Sequence, residues 1–191
     1  VPSRLPGQLR ERLAPIKLLV LDVDGVLTDG TLYYGSAGEA LKRFSVRDGL
    51  AIRMLEQAQI TVAIITGRRS DALMARCGDL GIRPELVIQG SSDKAAHLDE
   101  LERILGVGDE HVAAVGDDLP DLPVLERAGF SACPSDAAPE VAAACDLVCG
   151  AAGGKGAVRE VAELILKGQR RWQDTVGPWL GPTDTDGADA P

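Results

Sequence analysis

Lys17-Leu18-Leu19-Val20-Leu21-Asp22-Val23-Asp24-Gly25-Val26-Leu27-Thr28 is a short apolar run that ends in two carboxylates spaced one residue apart. An unbroken run of this length, too short for a helix, reads as a strand buried on both faces, the habit of parallel sheets. Three further runs have the same character: Thr61–Ile65, Leu86–Ile88 and Val112–Val115. Between them apolar residues recur at helical spacing, Leu50, Met54 and Leu55, then Leu73, Met74 and Leu80, then Leu98, Leu101, Ile104 and Leu105. Gly81 and Gly129 are placed to close helices, and Ser70 and Ser92 or Asp93 to open them. Strand and helix therefore alternate, which predicts an α/β fold with a doubly wound, mostly parallel sheet and ligands at the carboxyl ends of the strands. One segment breaks the rhythm. Thr31–Tyr34 and Glu39–Phe44 flank the turn-rich Gly35-Ser36-Ala37-Gly38, predicting a small β-hairpin inserted after the first strand and no large cap domain.

The chain has 191 residues, enough for one domain, and at 45% hydrophobic and 26% charged it has an ordinary globular composition. The reading divides it into an N-terminal extension at 1–15, a folded domain at 16–170 and a flexible tail at 171–191. That tail ends in the acidic, aperiodic Pro182–Pro191. A net charge of -9 and only 3% aromatic residues argue against nucleic acid, which needs positive charge and stacking surfaces. No apolar run approaches the roughly 18–20 residues of a membrane span. Val1–Pro15 carries Arg4, Arg10 and Arg12 without a following apolar core, so no secretory signal is visible and a cytoplasmic location is expected. Cys77, Cys133, Cys145 and Cys149 show no metal spacing and read as small packing residues, while His97 and His111 read as surface residues.

The chemistry gathers at strand ends. Residues two apart on an extended chain face the same way, so Asp22 and Asp24 converge while Val23 turns aside. Their mutual repulsion calls for a hard divalent cation with oxygen ligands, Mg²⁺. Thr66-Gly67-Arg68 offers a hydroxyl and backbone N–H groups to an anion after the second run. Lys94 can meet a phosphate as a point charge, and Gly116-Asp117-Asp118-Leu119-Pro120-Asp121 brings further acids after the fourth run.

In this order the signals resemble the haloacid dehalogenase superfamily, which implies its Rossmann-like fold. Asp22 to Gly30, Phe44 to Gly49, Ile65 to Arg68, Gly116 to Pro123 and Gly153 to Glu160 look more specifically like the 3-deoxy-D-manno-octulosonate 8-phosphate phosphatases, over roughly Ile16 to Lys167. Phosphatases of sialic-acid-type 9-phosphates share most of these strings. Ser45 stands where Asn is common, and Lys155 where Arg is common. The resemblance implies a phosphatase of lipopolysaccharide biosynthesis, with Asp22 as nucleophile and Asp24 as general acid and base. It implies Mg²⁺ on Asp22, the Asp24 carbonyl and Asp117, with Thr66 and Lys94 cradling the phosphate and Asp118 orienting a metal-bound water or Lys94.

Recognition of a phosphorylated sugar acid would fall to Asp24, Lys94, Arg68, the Ser45-Val46-Arg47-Asp48-Gly49 loop, Arg53 and Arg76, positions that in the family face the substrate or a neighbouring subunit. A homotetramer whose hairpins pair between subunits is the expected assembly. Two other readings compete: a receiver-like phosphorylation switch, and a silent partner module of a cytidylyltransferase. Asp24 disfavours both, since neither needs a general acid.

Overall fold

A computed structural model describes residues 7–36 and 38–180. Helix α1 (Gly7–Leu13) leads into the central strand β1 (Leu18–Leu21), and the hairpin β2 (Tyr33–Gly35) and β3 (Gly38–Leu41) follows. Then come α2 (Val46–Gln57), β4 (Thr61–Thr66), α3 (Asp71–Leu80), β5 (Val87–Gln89), α4 (Lys94–Leu105) and β6 (Val112–Val115). The chain continues through α5 (Leu122–Leu125), β7 (Phe130–Cys133), α6 (Pro139–Ala144), β8 (Leu147–Val148), α7 (Ala157–Gly168) and α8 (Trp172–Leu180). The main sheet has six parallel strands in the order β5-β4-β1-β6-β7-β8, and the hairpin is a separate antiparallel pair. The order reverses direction at β1, so the crevice beside its carboxyl end is the topological switch point.

Both faces of the sheet are covered. Leu19, Leu21, Val62, Ile64, Ala113 and Val115 join one apolar cluster, while Leu18, Val20, Ala63, Ile65, Val112 and Ala114 join the other. This explains why the strands read as continuous apolar runs. Val158, Val161, Ala162, Ile165 and Leu166 put one face of α7 into the first cluster, at the spacing an amphipathic helix requires. Among the described residues no helix is long and apolar enough to cross a membrane.

The structure adds strands the sequence reading did not name. β7 is the short Phe-Ser-Ala-Cys and β8 only two residues, too little for a periodic signal. Gly81 closes α3 in the left-handed conformation and Asp93 caps α4 by accepting from the Ala96 N–H at 3.0 Å. Ser70 precedes α3 without a side-chain cap bond. Gly129 is no helix cap. It lies where a Cβ would come within 2.7 Å of the Glu110 carbonyl, so its role is close backbone approach.

Helices also lie outside the expected 16–170 domain. Leu13 of α1 is fully buried, and Gly168 of α7 leaves no room for a Cβ beside it. Residues 172–180, assigned to the tail, form α8, whose Trp172 ring lies 5.5 Å from the Arg159 guanidinium and 4.6 Å from the Lys167 ammonium. Pro182–Pro191 lies outside the described residues.

Asp48 ties α2 to α7. Ser45 caps α2, its hydroxyl accepting from the Asp48 N–H at 3.3 Å. The Asp48 carboxylate accepts from the N–H of Gly156 at 3.2 Å and of Arg159 at 2.8 Å, satisfying donors in the first turn of α7. Only 1% of Asp48 is exposed. Asp48→Ala is expected to cost about 2 kcal/mol, because two half-buried N–H groups lose their charged acceptor. A denaturant midpoint indistinguishable from wild type would contradict this assignment.

Candidate active site

Asp22 directly follows β1, its N–H donating to the Val115 carbonyl of the neighbouring strand at 3.0 Å. Thr66 ends β4, Lys94 opens α4, and Asp117, Asp118 and Asp121 follow β6. All these, with Asp24 and Arg68, line one cavity of about 690 Å³. The Lys94 ammonium donates to Asp22 Oδ1 at 2.6 Å and also to Asp121 Oδ1. Asp121 Oδ2 accepts in turn from the N–H groups of Asp117 at 3.0 Å and Asp118 at 3.3 Å, fixing the loop. Asp118 does not touch Lys94; its carboxylate accepts from the Leu119 N–H at 2.8 Å and is exposed. Of the two partners expected for Asp118, a metal-bound water or Lys94, the lysine bonds to Asp121 instead. Asp121 had a signal in the sequence, as the acid that closes the Gly116–Asp121 string.

Carboxylate oxygens of Asp22, Asp117 and Asp121 lie within 4.8 Å of one another. One ammonium cannot balance three carboxylates. Burial, and then the neighbouring Asp121 charge, pushes Asp22 up to about 6 against the pull of Lys94. Burial followed by the charges of Asp22, Asp121 and Asp118 pushes Asp117 up to about 7. Burial works against the Lys94 ammonium, yet Asp22 and Asp121 outweigh it and hold the amine above its ordinary range. The hard oxygen donors and the surplus negative charge fit a divalent cation. The crowding depends on glycine: a Cβ on Gly25 would fall 2.0 Å from Asp117 Oδ2, so its absence lets that carboxylate lie over the loop after β1. Gly153 packs on the same loop, where a Cβ would meet the Gly25 carbonyl at 1.7 Å.

The hairpin packs behind Asp24 and Arg68, two residues of the cavity lining. Arg68 Nη2 donates to Tyr34 Oη and to Glu39, both at 3.1 Å. Lys42, just past β3, pairs with Asp24 Oδ1 and lies 3.3 Å from Glu39 Oε2. The sequence reading did not single out Lys42, since nothing in its spacing relates it to a site 18 residues away.

The remaining substrate candidates stand apart from this cavity within one chain. Val46 is 83% exposed and Arg47 is exposed beside it at the start of α2. Arg53 donates to the Asp79 carbonyl, and Arg76 to the Ser45 carbonyl at 3.5 Å while packing on Gly49. Asp48 is the buried cap described above. Ser45, Asp48, Gly49 and Arg76 border a separate small cavity between α2 and α3.

Comparison with known proteins agrees with the geometry. The haloacid dehalogenase-like hydrolase family matches residues 84–161. The 3-deoxy-D-manno-octulosonate 8-phosphate phosphatase of Escherichia coli K12 is 47% identical over 162 residues, 85% of this chain and 85% of the relative. This chain belongs to that phosphatase family. The Moraxella catarrhalis phosphatase, solved with a magnesium ion, a phosphate ion and KDO, superposes with a TM-score of 0.87 at 40% identity, covering 92% of this chain and 99% of the other. The cobalt-bound enzyme of Haemophilus influenzae gives 0.84 at 44% identity, covering 89% and 99%.

The raised Asp117 has a consequence for stability. Its folded-state value lies above its unfolded one, so the group favours folding fully below about 4 and loses that contribution as pH rises towards about 7. Metal-free Asp117→Asn is therefore expected to melt several degrees above wild type at pH 8, the gap closing near pH 4. Equal melting temperatures across that range in thermal scans with chelator would refute the crowded-carboxylate picture.

Proposed function

We propose that this chain is a Mg²⁺-dependent phosphomonoesterase that hydrolyses 3-deoxy-D-manno-octulosonate 8-phosphate through an aspartyl phosphate. The observation that carries the reading is Asp22, fixed through Oδ1 by Lys94 at the mouth of the cavity, with Asp24 two residues on. Asp22 is anchored as a nucleophile must be, and an aspartyl phosphate splits one difficult hydrolysis into two displacements. In the first, an Asp22 oxygen bonds to phosphorus, the bond to the sugar oxygen breaks, and Asp24 gives that oxygen a proton. In the second, Asp24 takes a proton from water as the water oxygen bonds to phosphorus and Asp22 is released. Lys94 and the Thr66 hydroxyl face the phosphoryl oxygens, where fixed positive charge and donors favour the transition state. Asp22, the Asp24 carbonyl and Asp117 would hold Mg²⁺, which would neutralise charge on nucleophile and phosphate.

The sugar acid itself calls for cations beyond this cavity. Arg47, Arg53 and Arg76 lie on the α2–α3 side, reachable by a substrate seated in another copy. The hairpin exposes Tyr34 (65%) and Leu41 (51%), and a two-stranded hairpin with such a face favours burial against a partner. A homotetramer with hairpins paired between copies accounts for both, and light scattering that finds an active monomer would remove it.

Phosphate release should be measured with octulosonate 8-phosphate and neuraminate 9-phosphate side by side. The former is expected to be the better substrate; preference for the latter would move the reading to the sialic-acid-type enzymes. Chelator should abolish turnover and Mg²⁺ restore it, with Ca²⁺ inhibiting through its looser coordination. Asp22→Asn should lower kcat by about a thousandfold or more. Turnover in chelator, or substantial activity in Asp22→Asn, would defeat the mechanism.

A further inference from the structure

Asp24 is the only group in the proposed reaction that must both give and take a proton, and its two oxygens are not equivalent. Oδ1 is engaged by the Lys42 ammonium. Oδ2 is buried without a hydrogen-bond partner, its nearest cation being Arg68 Nε at 3.6 Å, too far for a hydrogen bond. Arg68 Nε is itself buried and unpartnered. Arg68 therefore backs the second oxygen of Asp24 as Lys42 engages the first.

Lys42 is unusually placed for a lysine. Its side chain is 3% exposed, and its charge is shared between Asp24 and Glu39, which also holds Arg68. Lys42 does not line the cavity, so it has no contact with a substrate there. An ammonium has three donors to place, so it can hold Asp24 and Glu39 at once.

We infer that Lys42 is the positioning residue of the acid–base step, clamping Asp24 Oδ1 from the hairpin and so holding the carboxyl where it exchanges a proton with the leaving oxygen of the substrate. The inference rests on the phosphatase reading above and deepens it. It also gives the hairpin a task within its own subunit: Glu39 sets Lys42, and Lys42 sets Asp24.

The test compares two esters in single-turnover release of the leaving group. Octulosonate 8-phosphate expels a basic alkoxide that needs the proton; p-nitrophenyl phosphate expels a phenolate that scarcely does. Lys42→Met is expected to slow the alkyl ester by about a hundredfold, within the span of a general acid, and the nitrophenyl ester at least tenfold less, with little change in KM for either. Lys42→Arg, which keeps a cationic donor, should recover part of the loss. Should Lys42→Met fold poorly by circular dichroism, Glu39→Gln leaves the ammonium on Asp24 but loosens it, and the same skew towards the alkyl ester is expected on a smaller scale. Equal losses on both esters, a change confined to KM, or no loss would overturn the assignment. A wild-type chain that hydrolyses neither ester would instead sink the phosphatase reading, and this inference with it.

Discussion

The ammonium of Lys94, held between Asp22 and Asp121, is the interaction on which the site depends. It joins the end of β1, the start of α4 and the loop after β6, three segments brought together only by the order of the sheet. Without it three carboxylates would share one buried pocket with no protein cation among them, a cost of several kcal/mol per uncompensated charge. The pair does not cancel the cluster. Asp22 and Asp117 remain raised to about 6 and about 7, so negative charge is left over for a cation to meet. Folding thus stores in the site a demand that binding satisfies, the usual relation between a strained polar cluster and its ligand.

Glycine makes that crowding geometrically possible. Gly25 leaves no room for a side chain beside Asp117, nor Gly153 beside the Gly25 backbone, so the loop after β1 and the loop before α7 close on one another. Asp48 secures the second of those loops from beneath by capping α7. The site is therefore built from two packed layers: carboxylates above, and backbone held by a buried cap below.

Much of this was legible in the sequence, because parallel strands buried on both faces leave continuous apolar runs and the chemistry follows those runs directly. Lys17–Leu21 and Val112–Val115 announced both the sheet and the positions of Asp22 and Asp117. What could not be read was anything fixed by contact across the chain. Asp118 and Asp121 sit in the same string, and only the fold shows which one turns inward to Lys94. Asp48 reads as a polar loop residue until α7 is seen to start on it. Lys42, one of five lysines in the chain, carries no signal of its own until the hairpin folds back over Asp24. Gly129 failed as a cap because close approach and chain reversal call for the same residue.

The main sheet ends in strands of three residues at β5 and two at β8. Edges that short expose few unpaired backbone groups, which protects the domain from adding a foreign strand and growing into aggregates. The same economy closes off sheet extension as a route to assembly. Among the described residues the detached hairpin, which carries Lys42 to Asp24, is then the backbone that a neighbouring copy can pair with.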